Sequence, residues 1–150
     1  MVRITQGTAH DIDIIVNLVS ELLSELDGKP FHTMLSKKEI LQWITDKEYI
    51  VFIARDEKDG LPIGVITLTE SKAIYTNGTF ATIEEFYIKP RYRSKLIGKK
   101  MLDHVISFAK TKGWKRLEVG APEKEHWMRT FNFYHMNNFI EIGPRLKYHL

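Results

Sequence analysis

The stretch Ile83-Glu84-Glu85-Phe86-Tyr87-Ile88-Lys89-Pro90-Arg91-Tyr92-Arg93-Ser94-Lys95-Leu96-Ile97-Gly98-Lys99-Lys100-Met101-Leu102 decides the fold. Its first six residues read as the end of a strand that begins at Thr79. Pro90 closes that strand, because it has no amide proton for a ladder. A short basic loop follows. Ile97, Met101, Val105 and Phe108 then recur at helical spacing, and Gly113 lies just past the end. A helix that starts behind a strand leaves about four backbone N–H groups unpaired and carries partial positive charge there, which suits an anion. Arg93 adds a forked donor matched to phosphate oxygens, and Gly98 lets a ligand approach the backbone. On the residues alone, a solvated basic face is an equal reading of the same loop.

Outward from this segment the chain alternates helix and strand. Arg3 to Thr5 reads as a first strand. Thr8-Ala9-His10-Asp11 is a capping-box-like start for a helix carrying Ile12, Ile15, Val19, Leu22 and Leu26 and stopped by Gly28. Ser36 opens a second helix through Trp43 and Ile44. Tyr49 to Ala54 is an apolar strand, and Asp56 to Gly60 a turn. Pro62 to Glu70 is a strand expected to run on to Tyr75, because Asn77-Gly78 is a two-residue hairpin signal. Arg116 to Val119 reads as a strand, Trp127 to Met136 as a helix and Phe139 to Leu150 as extended. The order β-α-α-β-β-β-α-β-α-β predicts a single α/β domain over residues 1–150, with a mixed, mostly antiparallel sheet flanked by helices.

Bulk properties narrow the function. The chain has 150 residues, enough for one core without staples. It has no cysteine, which excludes disulfides and thiol chemistry. The formal charge of +3 is mild and suits an anionic small molecule as well as nucleic acid. The basic cluster lacks interleaved aromatics beyond Tyr92, so no nucleic-acid partner is expected. The six histidines make no metal spacing with carboxylates, so no metal is expected. The N-terminus has no signal-like apolar core and no run reaches membrane-spanning length, so the default location is cytoplasmic, away from membranes.

Two segments resemble motifs of one family. Arg93-Ser94-Lys95-Leu96-Ile97-Gly98 resembles the acetyl-CoA motif of the GNAT N-acetyltransferases, (Arg or Gln)-x-x-Gly-x-(Gly or Ala), with Leu96 in place of the first glycine. Phe133-Tyr134-His135-Met136-Asn137-Asn138-Phe139-Ile140-Glu141-Ile142-Gly143 resembles the closing block Phe-Tyr-x-x-x-Gly-Phe-x-x-x-Gly, with Asn138 in place of the first glycine. Asn is the next most tolerant residue of a positive φ. Arg116-Leu117-Glu118-Val119 resembles the strand between the two motifs.

The resemblance implies an acetyl-CoA-dependent enzyme that transfers acetyl directly to a primary amine, carried by a small molecule, a polyamine or a peptide. It implies that Phe86, Tyr87 and Ile88 pair with the pantetheine arm, and that Arg93, Ser94, Lys95, Leu96, Ile97, Gly98 and Lys99 hold the pyrophosphate. Tyr134 matches the family tyrosine that returns a proton to the departing thiolate. Glu84-Glu85 resembles the adjacent acids of diamine acetyltransferases, with Glu84 expected as base through water and Glu85 as a contact to the acceptor amine. Glu118 matches the glutamate of ribosomal-protein N-terminal acetyltransferases and is a second candidate base. Phe31 and Trp127 are candidate acceptor contacts, and Trp127 stands where many relatives carry Asn. Relatives often dimerise, which leaves a homodimer open. A binding module for acyl-CoA that lacks catalysis is the alternative.

Overall fold

The computed structural model describes residues 1–150, apart from the side chain of Lys124. Two compact units are present, Met1–Glu118 and Val119–Leu150. In the first, β1 (Val2–Gln6) leads through a 3-10 turn at Ala9–Asp11 into α1 (Ile12–Asp27) and α2 (Lys37–Thr45). β2 (Ile50–Asp56), β3 (Pro62–Ala73) and β4 (Gly78–Ile88) follow as a meander. Then come α3 (Ile97–Lys112) and β5 (Leu117–Val119), whose last residue, Val119, opens the second unit. Local chemistry sets the ends. Thr8 with Asp11, and Ser36 with Glu39, form reciprocal capping boxes before α1 and α2, and Gly28 and Gly113 end α1 and α3 at φ 71°.

The sheet order is β1-β2-β3-β4-β5. The first three junctions are antiparallel. At the fourth, Lys115 N–H donates to Thr79 O at 2.8 Å and Ala81 N–H to Arg116 O at 3.2 Å. The two segments ascend together, so the sheet is mixed. Val51, Ile53, Val65 and Tyr87 line one face and pack on Ile15 and Leu18 of α1. The opposite face carries α3. Phe52 meets His104 and Phe108 edge-on at 4.9 and 5.0 Å, and Met101, Leu102 and Val105 are wholly buried. Each such side chain is worth about 1.5–3 kcal/mol, so packing holds α3 without a side-chain cap. Gly64 permits this contact: a Cβ there would lie 3.0 Å from Tyr87 O and 3.1 Å from Met101 Sδ.

Two local expectations change. The β3–β4 hairpin does not close on two residues. Ala73 pairs with Gly78 around a four-residue turn, Ile74–Asn77, in which Asn77 N–H donates to Ile74 O at 3.0 Å and Asn77 itself takes φ 60°. Asn77-Gly78 does supply the left-handed backbone, but at the end of a longer loop. The second change lies in the unit Val119–Leu150. There α4 (Lys124–Met136) is the regular element, and residues 139–150 form no strand. Gly143 at φ 120° and Pro144 interrupt the run after four residues, and a strand needs a ladder partner to satisfy its backbone. Asn138 does adopt a left-handed φ of 69°. No described helix is long and apolar enough to cross a membrane.

Candidate active site

β4 ends at Ile88, Pro90–Tyr92 makes one 3-10 turn, and α3 begins at Ile97. Leu96 occupies the N-cap, with φ 61°, and has no acceptor to offer the first-turn amides. The first turn also lacks an acidic residue, whereas α2 has its Ser36–Glu39 box. Lys100 N–H to Leu96 O, 3.0 Å, is the first bond of the helix. Leu96 therefore puts no capping side chain on the amides of Ile97, Gly98 and Lys99. That is the donor set a pyrophosphate requires. Leu96 is 70% exposed, so most of its side chain is in solvent. Ser94 is likewise left-handed at φ 63°. Lys95 lies over the Tyr92 ring at 5.3 Å, and Lys99 pairs with Asp103 at 2.7 Å.

Arg93 is already engaged. Its Nε donates to Ile88 O at 2.8 Å, and its two terminal nitrogens donate to the two carboxylate oxygens of Glu25 at 2.8 and 2.7 Å. The guanidinium also lies 5.4 Å from the centre of the Tyr87 ring. Lys89 faces Glu21 at 3.9 Å. Two acids of α1, Glu21 and Glu25, thus brace the loop. Burial first, then the charge of Glu21, pushes the Tyr87 phenol up to about 12.

The paired glutamates are separated by a β-bulge. Thr67 opposes Glu85 and Leu68 opposes Ile83, so Glu84 is the extra residue. Adjacent Thr67 and Leu68 point to opposite faces, hence so do Glu85 and Ile83, although they are two apart on β4. Without the bulge Glu85 would share the α3 face with buried Ile83. With it, Glu85 stands on the α1 face in line with Val65 and Thr67. There Tyr49 and Thr67 both donate hydroxyl hydrogen bonds to Glu85 Oε2, and Glu85 N–H donates to Thr67 Oγ1 at 3.0 Å. Glu84 is exposed and accepts from Thr69 at 2.6 Å. Burial above all, with the Glu85 charge second, pushes the Tyr49 phenol up.

The remaining candidates fall as follows. Phe86, Tyr87 and Ile88 form the last rungs of β4 against Ile66, Val65 and Gly64. Glu118 on β5 is half-buried and paired with Arg116 at 2.7 Å, whose guanidinium stacks on Tyr75 and Phe80. Phe31, half-buried in the α1–α2 loop, donates its N–H to Ser24 Oγ at 2.9 Å. In the second unit Trp127 sits at a kink of α4 (φ −131°, ψ 36°) and is half-buried. Tyr134 is 7% exposed, between the rings of Phe133 and Phe139, and burial pushes its phenol up. Among the described residues no group of three His, Cys, Asp or Glu could hold a metal. Sequence reasoning missed Tyr49, Thr67 and the bulge. Their only signal is a polar residue in each of three neighbouring strand segments, which acquires meaning once the register is known.

A sequence model described as "Acetyltransferase (GNAT) family" matches residues 16–136. No curated protein was found to match the chain. Among solved structures, an aminoglycoside acetyltransferase from an uncultured soil metagenomic sample superposes with TM-score 0.82 at 17% identity, over 99% of this chain and 96% of that one. The ribosomal-protein-alanine N-acetyltransferase of Brucella melitensis biovar Abortus 2308 gives 0.79 at 16% identity, over 100% and 99%. A predicted acetyltransferase from Clostridium acetobutylicum, solved with acetyl-CoA, gives 0.80 at 18%, over 99% and 96%. At such identities the likeness establishes the fold.

Proposed function

Since the chain belongs to the acetyltransferase (GNAT) family, whose members use acetyl-CoA as acyl donor, we propose that it transfers acetyl directly to a primary amine, with residues 1–150 acting as one N-acetyltransferase domain. The N-terminal amides of α3 hold the pyrophosphate. Glu85 accepts the proton of the acceptor ammonium, and Tyr134 returns one to the departing thiolate. The observation that carries the amine reading is Glu85 itself. It is a half-buried carboxylate on the α1 face, fixed by two hydroxyls in an otherwise apolar layer. A carboxyl among apolar neighbours needs hydrogen-bond partners, and the two hydroxyls supply them to Oε2 alone. Glu84 is assigned no proton transfer, because it is the extra residue of the bulge and is exposed. Glu118 ranks behind Glu85, since Arg116 already occupies it. A buried phenol whose ionisation is suppressed is a proton donor throughout the neutral range, as Tyr134 requires.

The solved neighbours are named for acceptors as different as an aminoglycoside and a ribosomal-protein alanine, which sets the panel to try. Thiol release from acetyl-CoA is to be followed with sisomicin, a peptide with an N-terminal alanine, and spermidine. Wild type should turn over at least one of them. Glu85→Gln and Tyr134→Phe should each slow it by roughly a hundred- to ten-thousand-fold, the range of general acid–base catalysis. Tight coenzyme A binding with no turnover on any amine would instead identify an acyl-CoA-binding module without catalysis.

A further inference from the structure

Three segments distant in sequence meet at one carboxylate oxygen. Tyr49 immediately precedes β2, Thr67 lies in β3 and Glu85 in β4 just past the bulge. Thr67 is wholly buried and closes a small ring: its hydroxyl accepts from Glu85 N–H and donates to Glu85 Oε2. The Tyr49 hydroxyl donates to the same oxygen, and its ring is backed by Trp43 of α2 at 5.9 Å. Among the described residues no hydrogen bond is made to Oε1. We propose that Tyr49 and Thr67 are positioning residues, which fix the plane of the Glu85 carboxyl and leave Oε1 as the atom that takes the acceptor's proton. This rests on the reading of Glu85 as base. The step is one proton transfer: the ammonium N–H bond breaks, an O–H bond forms at Oε1, and a neutral amine and a carboxylic acid result.

Hydroxyl donors favour the charged form of a carboxyl, so their loss raises its basicity. Tyr49 remains a donor through the working range, because burial and the Glu85 charge suppress its ionisation. The other charged group acting on Tyr49 is Glu84; farther along the same face Glu21, Glu25 and Arg93 gather at Tyr87.

The test is the pH dependence of kcat/KM with acetyl-CoA and each of the three amines above, for wild type, Tyr49→Phe, Thr67→Val, Thr67→Ser and Glu85→Gln. Tyr49→Phe and Thr67→Val should move the acidic limb upward, so that activity lost at low pH returns at higher pH. Thr67→Ser, which keeps the hydroxyl, should leave the limb in place. A uniform fall at every pH with an unmoved limb would mean that the hydroxyls only support packing, and would overturn the proposal. Abolition of the limb by Glu85→Gln marks Glu85 as the titrating group. If that limb persists in Glu85→Gln, the assignment of the base fails, and the positioning role fails with it. An NMR titration of isotope-labelled glutamate in the free protein supplies a readout without turnover. The Glu85 carboxyl resonance should move away from its wild-type position in Tyr49→Phe and Thr67→Val and stay in place in Thr67→Ser, and an unmoved resonance in the first two would overturn the proposal even if no amine reacts.

Discussion

At the scale of the residue, Leu96 shows a site chosen against local preference. An L-residue in the left-handed region costs about 1–2 kcal/mol relative to the right-handed one, and glycine avoids that cost. Leu96 takes φ 61° as the N-cap of α3 while 70% exposed, so its side chain returns little by burial. Leu96→Gly should therefore stabilise the protein by about 1 kcal/mol, seen as a higher denaturation midpoint with an unchanged m-value. Because glycine keeps the backbone amide, coenzyme A affinity by calorimetry should change little. A destabilised variant would show that the exposed leucine makes a contact worth more than the strain.

At the scale of the element, the loop between β4 and α3 is tied to α1 by two cation–carboxylate contacts, Arg93–Glu25 and Lys89–Glu21. Two roles for Arg93 then predict opposite signs. If its fork had to leave Glu25 to reach pyrophosphate, Glu25→Gln would free it and strengthen coenzyme A binding. If Arg93 braces the loop so that the α3 amides face the ligand, Glu25→Gln should weaken binding, much as Arg93→Ala does. The geometry supports the brace, because Arg93 also holds Ile88 O at the end of β4. Arg93→Ala should cost less than the about 1.5–3 kcal/mol of a lost charged hydrogen bond, and the two substitutions should be non-additive by about 0.5–3 kcal/mol in a double-mutant cycle read by calorimetry. The strand, loop and helix of this region were legible in the sequence, because Pro90, the basic cluster and the Ile97–Met101–Val105 spacing are local signals. The bulge was not. One extra residue between Ile83 and Glu85 leaves the apolar pattern of β4 unchanged, and which glutamate is extra depends on the register against Thr67 and Leu68. For the same reason the sequence does not tell which of the two glutamates faces α1, and Tyr49, 36 residues from Glu85, was invisible as its partner.

At the scale of the whole molecule, the element order of the first 136 residues was legible from periodicity and caps. The terminal strand was not formed, because Phe139–Leu150 has the composition of a strand but a Gly143-Pro144 break and no ladder. A property of the whole chain also follows from where its phenols lie. The chain has six tyrosines. Burial raises three of them, Tyr49, Tyr87 and Tyr134, and neighbouring carboxylates add to the rise at Tyr49 and Tyr87. An unfolded tyrosine titrates near about 10. Above that pH the native state keeps protons that the unfolded state releases, so it binds more protons than the unfolded state and stability falls as pH rises. The stabilisation is complete below about 10 and is lost through the region of about 12 for Tyr87 and beyond for the other two. Alkaline titration followed by phenolate absorbance and far-ultraviolet circular dichroism should therefore show part of the tyrosine signal appearing in one cooperative step, coincident with loss of structure. Removing one of the suppressed phenols by Tyr87→Phe should shift that step to higher pH, because the unfolded state then gains one fewer ionisation. All six tyrosines ionising smoothly with the circular dichroism intact would show that the phenols are not held neutral by the fold, and would remove the basis for Tyr134 as a proton donor and Tyr49 as a permanent one.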